Sequence, residues 1–223
     1  MENEKNSGAS AYFNSGVGRI GDKMGELMKK LILMLLFSAV FIYQGPGFAD
    51  GGGSLKKATF AGGCFWGVEK IFSDLPGVVS TQVGYTGGYT QNPGYEQVCS
   101  GRTGHAEAVE IQYDASKISY DKLLLTFWQY HDPTTSNRQG PDVGGQYRSA
   151  IFFHDKEQEA SAKKQIELLT KAKVFKNPIV TEVVPATEFY RAEEYHQKYL
   201  KKNPNGYCSH HFQSRRIAEV LHL

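Results

Sequence analysis

The sequence predicts an α+β domain, a two-layer sandwich of helices on a mixed sheet with a ferredoxin-like core. The first reason is order. From Lys56 onward, period-two and helical hydrophobic patterns succeed one another as β-α-β-β-α-β-α-β, not as the regular repeat of a doubly wound sheet. The second is length, since the roughly 155 residues of this stretch can bury a sizeable core as one domain. The third is composition: 40% hydrophobic and 13% aromatic residues, with no internal repeat or low-complexity segment, make ordinary globular material.

Each element follows from its own pattern. ATFAG (58–62) reads as a short strand. CFWGVEKIFSDL (64–75) sets Val68, Ile71 and Phe72 on one helical face. VVSTQVGYTGG (78–88) is a strand running into a Gly-Gly turn, and HAEAVEIQYD (105–114) is a second strand. SYDKLLLTFWQYHDP (119–133) is a helix with a stripe of Leu123, Leu124, Phe127 and Trp128. Ser119 caps it and Pro133 stops it. RSAIFFHD (148–155) is a strand, and DKEQEASAKKQIELLTKA (155–172) is a surface helix capped by Asp155. IVTEVVPA (179–186) is the last strand, and EFYRAEEYHQKYL (188–200) the last long helix.

Before the domain lies a different kind of segment. Lys29 and Lys30 precede a 13-residue apolar run, 31–43, and then a Gly/Pro break and the small-x-small site Gly47-Phe48-Ala49. That is the layout of a secretory signal peptide, and the run falls short of the ~20 residues of a spanning helix. The expected division is a lead and signal peptide over 1–49, a linker over 50–54, a catalytic domain over 55–213 and a C-terminal tail over 214–223. The mature protein is expected outside the cytoplasm, periplasmic or extracellular, with an uncleaved membrane anchor as the weaker reading. A net charge of +2 offers no field for nucleic acid. Three cysteines without a C-x-x-C pair make neither a disulfide scaffold nor a zinc ribbon, so no metal is expected.

Two residues suggest chemistry. Cys64 follows two glycines at the start of a helix, where unpaired N–H groups and the macrodipole favour an anion. A lowered thiol pKa is therefore expected, against the alternative of an inert packing cysteine. Glu107 shares its strand face with Val109 and Ile111, so burial should raise its pKa and keep it protonated near neutrality, unless the strand edge meets solvent there. A thiolate beside a neutral carboxylic acid suits attack on a polar S=O or O–O bond, with a bell-shaped pH profile.

Four blocks then decide the reading: GGCFWGVE, YEQVCSGRTGHAEAV, FWQYHDPTTSNRQGPDVGGQYRSAIF and NPNGYC. Together, from about residue 57 to 212, they resemble the A-type methionine sulfoxide reductases. The resemblance implies an oxidoreductase that reduces the S epimer of methionine sulfoxide, free or in oxidised proteins, as a repair enzyme. It implies Cys64 as nucleophile, Glu107 as the acid that protonates the sulfoxide oxygen, and Cys208 as the resolving thiol of a Cys64–Cys208 disulfide. Phe65 and Trp66 would form the methyl pocket, Tyr95 and Tyr147 would hold the oxygen, and Asp142 the substrate backbone. No bound cofactor is implied; thioredoxin or a similar dithiol would be the external reductant, and a monomer is expected. No cysteine follows Cys208, which favours a two-cysteine cycle.

Read without that resemblance, Phe65 and Trp66 could be plain core and His196 a satisfied structural histidine; Cys99, though VCSG has a counterpart in the family, reads as a structural small hydrophobe. A papain-like hydrolase is the rival enzyme class, but no asparagine follows His210 and His211 as that order requires. A binding module with an aromatic pocket is the non-enzymatic rival.

Overall fold

The computed structural model of the chain describes residues 55–207 and 215–223, with Gly25 alone before them. The expected signal peptide and linker, and Cys208, lie outside the described residues.

Strand β1 (Leu55–Gly62) passes through Gly63 and Cys64 into helix α1 (Phe65–Ser73), and β2 (Val78–Thr86) follows. A short helix, α2 (Tyr95–Cys99), lies in the glycine-rich connection to β3 (Ala106–Asp114). Helix α3 (Tyr120–Tyr130) starts at Ser119, whose side chain accepts from the Lys122 N–H at 3.2 Å. A ribbon of β4 (Arg138–Gln139) and β5 (Asp142–Val143), then a 3₁₀ turn (Gly145–Tyr147), lead into β6 (Ser149–Phe153). Helix α4 (Lys156–Lys171) starts at Asp155, which accepts from the Gln158 N–H at 2.8 Å. Strands β7 (Glu182–Pro185) and β8 (Tyr190–Arg191) and helices α5 (Tyr199–Lys202) and α6 (Arg216–Leu221) complete the described chain. Both caps fall where the sequence puts them.

The main sheet runs β7-β6-β1-β3-β2-β8. Its β6-β1-β3-β2 quartet is antiparallel throughout and is connected through α1 and α3, which is the expected ferredoxin-like core. β7 joins β6 in parallel, so the sheet is mixed. One cluster joins Phe60, Val109 and Ile111 of the sheet to Val68 and Phe72 of α1 and Leu124 and Phe127 of α3. Phe60 stacks on Phe72 and Phe127 with centroids 5.2 and 5.1 Å away. A second cluster is built of Ala61, Ala106, Ala108, Ala150 and Phe152, with Val184, Ala186 and Phe189 packed against it. Small side chains leave room there for the 184–189 segment to approach. Gly84 shows how close the chain comes: a Cβ at this position would stand 2.4 Å from the Tyr190 carbonyl oxygen.

Two expectations about the C-terminal part change. Residues 188–200 are not one long helix. They form β8, a run of turns, and then α5, because their polar groups, backbone and side chain, are claimed by distant residues. Gln197 binds both the N–H and the carbonyl of Val83 (3.1 and 3.0 Å), while Glu69 takes the Lys198 N–H at 2.7 Å. Tertiary contacts of this kind override a local helical period. The segment set apart as a tail holds α6, whose Ile217 and Leu221 are buried in the main cluster, so it packs as part of the domain.

Candidate active site

The sheet brings three expected residues to one end. β1 ends at Gly62 paired with Ser149, just after Tyr147, and its neighbour β3 begins at Ala106 beside Glu107. Gly63 turns the chain there with φ of +98°, a left-handed conformation that an L side chain resists. Cys64 is then the cap residue of α1, with no side-chain cap hydrogen bond and only 7% exposure.

Glu107 is the buried partner. It is 2% exposed, and its Oε2 accepts from the Phe65 N–H at 3.1 Å. The first free amide of α1 is thus spent on the carboxyl group. Burial, opposed by that hydrogen bond and assisted by Asp142, raises the Glu107 pKa to about 8. This is the direction its strand face predicts.

The thiol departs from expectation. Burial first, and the charge of Glu107 second, raise Cys64 to about 12, while the Trp66 and Gly67 amides pull the other way and lose. A helix start favours a thiolate only while water or a cation supports it, and here the sulfur is buried beside an acid. The resting site therefore holds both protons near neutrality, a thiol and a carboxylic acid.

Around this pair stand the remaining expected residues. The pKa values of Tyr95 and Tyr147 are raised mainly by burial and further by Glu107, so both hydroxyls keep their protons as donors. Asp142, on β5, is close enough that its charge is felt at Cys64, Glu107 and Tyr147. It accepts from the Tyr207 hydroxyl at 3.0 Å. Phe65 is buried against Tyr85 and His196, at centroid distances of 5.9 and 5.0 Å. Trp66, partly buried, stacks on Tyr199 at 3.8 Å and 15°, and its indole N–H donates to His196 Nδ1 at 3.0 Å. Cys99, read from the sequence as a structural small hydrophobe, is exposed.

A family model described as peptide methionine sulfoxide reductase matches residues 56–221. The chain belongs to this family. It is an oxidoreductase that reduces methionine sulfoxide. The methionine sulfoxide reductase MsrA of Methanosarcina acetivorans is 60% identical over 155 residues, covering 70% of this chain and 82% of that one. The MsrA of Geobacter sulfurreducens is 54% identical over 155 residues, covering 70% and 96%. Among solved structures, the reduced form of Mxr1 from Saccharomyces cerevisiae aligns with a TM-score of 0.66 and 39% identity, over 72% of this chain and 93% of that one. Methionine sulfoxide reductase A of Corynebacterium diphtheriae aligns with a TM-score of 0.62 and 41% identity, over 72% and 79%.

The candidate site also contains residues that the sequence pattern hides. Glu193 accepts from the Tyr85 hydroxyl at 2.8 Å and from the Tyr95 N–H at 2.9 Å, tying α2 to the C-terminal segment. His196 is not fully satisfied: Nδ1 accepts from Trp66, while the buried Nε2 has no hydrogen-bond partner and stands 4.0 Å from Glu193. Tyr199 and Tyr207 join through a ring face and a hydroxyl. All four sit in EEYHQKYL or just after it, where an apparent amphipathic helix masks a set of site contacts. Among the described residues no group of three or more His, Cys, Asp or Glu is arranged for a metal ion, and no helix is long and apolar enough to cross a membrane.

Proposed function

We propose that the enzyme reduces the S epimer of methionine sulfoxide by direct attack of the Cys64 sulfur on the sulfoxide sulfur. The observation that carries this reading is the pairing of a buried thiol with a buried, protonated Glu107 anchored to the first amide of α1. Glu107 gives its proton to the sulfoxide oxygen, and the thiol proton passes to the vacated carboxylate. The positive charge this places on the substrate sulfur favours the thiolate that burial otherwise resists. The bond that the attack forms between the two sulfurs then breaks together with the substrate's S–O bond, as the oxygen moves to Cys64. Methionine leaves reduced by two electrons, and Cys64 becomes a sulfenic acid, oxidised by two.

The other residues orient the substrate. Tyr95 and Tyr147 donate to the oxygen, Asp142 accepts from the substrate backbone, and Phe65 and Trp66 hold the methyl group. Cys208 then attacks the sulfenic acid, releasing water and forming the Cys64–Cys208 disulfide, which thioredoxin or a similar dithiol reduces. The contact of Tyr207, the residue before Cys208, with Asp142 supports this assignment. The substrate is free or protein-bound methionine sulfoxide, which makes the enzyme one of protein repair.

The test is turnover of resolved epimers. The S form should be reduced with dithiol or thioredoxin and the R form left intact; equal rates would remove the stereochemical assignment. In the same assay, Cys208→Ala should release a single equivalent of methionine and then stall with thioredoxin. Normal thioredoxin-driven turnover without Cys208 would assign resolution to another thiol.

The enzyme works outside the cytoplasm, on the strength of the 28–49 pattern. The mature chain recovered there should begin at Asp50 by N-terminal sequencing. One that still carries residues 31–43 would mean a membrane tether.

A further inference from the structure

A second carboxylate lies on α1 one turn beyond the nucleophile. Glu69 is 2% exposed, yet its charge is fully matched. Its Oε1 accepts from the Thr81 hydroxyl at 3.1 Å and lies 3.1 Å from Lys198 Nζ, while Oε2 accepts from the Lys198 N–H at 2.7 Å. Lys198 Nζ also reaches the Thr81 carbonyl oxygen at 2.8 Å and the Thr81 hydroxyl. Three elements, α1, β2 and the 196–199 turn, thus meet at one ion pair, buried on its Glu69 side.

The turn it holds is strained. Lys198 has φ of +55°, a conformation that costs a residue with a Cβ and that glycine would adopt freely. A lysine persists there because its amide and its ammonium both bind Glu69. The two residues bracketing Trp66 flank this point: His196 accepts from its indole N–H, and Tyr199 stacks on its ring. Moving Lys198 therefore moves both supports of the indole at once.

We infer that Glu69 and Lys198 are positioning residues that set the width of the substrate's methyl pocket by fixing the 196–199 turn against Trp66. The inference rests on the reading of Trp66 as a wall of that pocket. The pair touches no reacting atom, so its effect is on which alkyl group fits rather than on proton transfer.

The experiment compares kcat/KM for methionine S-sulfoxide with that for its S-ethyl homologue, ethionine sulfoxide. A pocket shaped for a methyl group should favour methionine by about 10-fold or more, the usual worth of one methylene. Glu69→Gln and Lys198→Met should both bring that preference down to about twofold, largely by improving KM for the ethyl substrate, and Lys198→Arg should restore it. Should Lys198→Met not fold, because it leaves the buried Glu69 carboxylate without its cation, Glu69→Gln decides, since the lysine side chain it leaves behind is 38% exposed and its ammonium can turn to water. Variants that lose thermal stability but keep the full preference would overturn the inference and leave the ion pair a fold element. Trp66→Leu separates the two levels. If it flattens the preference while the ion-pair variants do not, only the positioning role fails. If Trp66→Leu leaves the preference unchanged, or the unmodified enzyme shows no dependence on the alkyl group, the pocket reading fails and the inference with it.

Discussion

Cys64→Ser should abolish methionine release from the S-sulfoxide, in single turnover as well as in the steady state. The reaction needs an atom that can take the sulfoxide oxygen and give up two electrons, which sulfur does through the sulfenic acid and a serine oxygen does not. The loss should not come from misfolding. Cys64 occupies the cap position of α1 without making a side-chain cap hydrogen bond, and serine is among the preferred residues there. The variant should thus unfold at least as late as the parent, so that stability and activity move apart. Retention of most of the turnover by a Cys64→Ser protein would sink the assignment of the nucleophile.

Glu107→Gln should slow the methionine-releasing step by ~10²–10⁴-fold, the usual contribution of a positioned acid, and leave substrate binding largely intact. Glutamine can still accept the Phe65 N–H, so the helix start is preserved, but it has no proton to give. The pH dependence follows from the raised carboxyl, at about 8 rather than near its ordinary value. In the parent, the acid form prevails below that value, so the releasing step should fall as pH rises through about 8. The variant should lose that alkaline limb. Because the Cys64 thiol lies higher still, at about 12, the free enzyme has no interval with the thiol ionised and the carboxyl protonated. The bell-shaped profile expected from the sequence is replaced by this single alkaline decline.

Stability gives an independent reading with the opposite sign. A carboxyl whose folded pKa is raised contributes stability that is complete below its unfolded pKa, near ~4.3, and is lost as pH climbs through the folded value. Glutamine escapes that loss. Denaturant unfolding should therefore show Glu107→Gln gaining on the parent between about pH 5 and pH 9, while it remains the slower enzyme. An unchanged rate and pH profile in the variant would take Glu107 out of the mechanism. A stability difference independent of pH would show that the carboxyl is not buried in its neutral form.

The sequence by itself determined most of the frame. Alternation along 105–114 set Glu107 on the apolar face of its strand, and the structure keeps it there, buried. Ser119 and Asp155 announced their helices through local side-chain to backbone bonds that span three residues. Gly63 announced the turn that only a residue without a Cβ makes cheaply. These features are local, and local chemistry is written in adjacent letters. The tertiary structure alone decided the rest. The apparent helix over 188–200 gave way to turns because Glu69 and Val83, each more than a hundred residues away in sequence from the groups they bind, take up the Lys198 N–H and the Gln197 side chain. The expected thiolate became a thiol because the ionisation of Cys64 depends on what surrounds its sulfur. A helix start offers the sulfur two amides, but burial and the neighbouring Glu107 outweigh them, and neither acts through sequence neighbours. Charge states of buried groups are set by solvent exclusion and by the sum of nearby charges, and both exist only once the chain has folded.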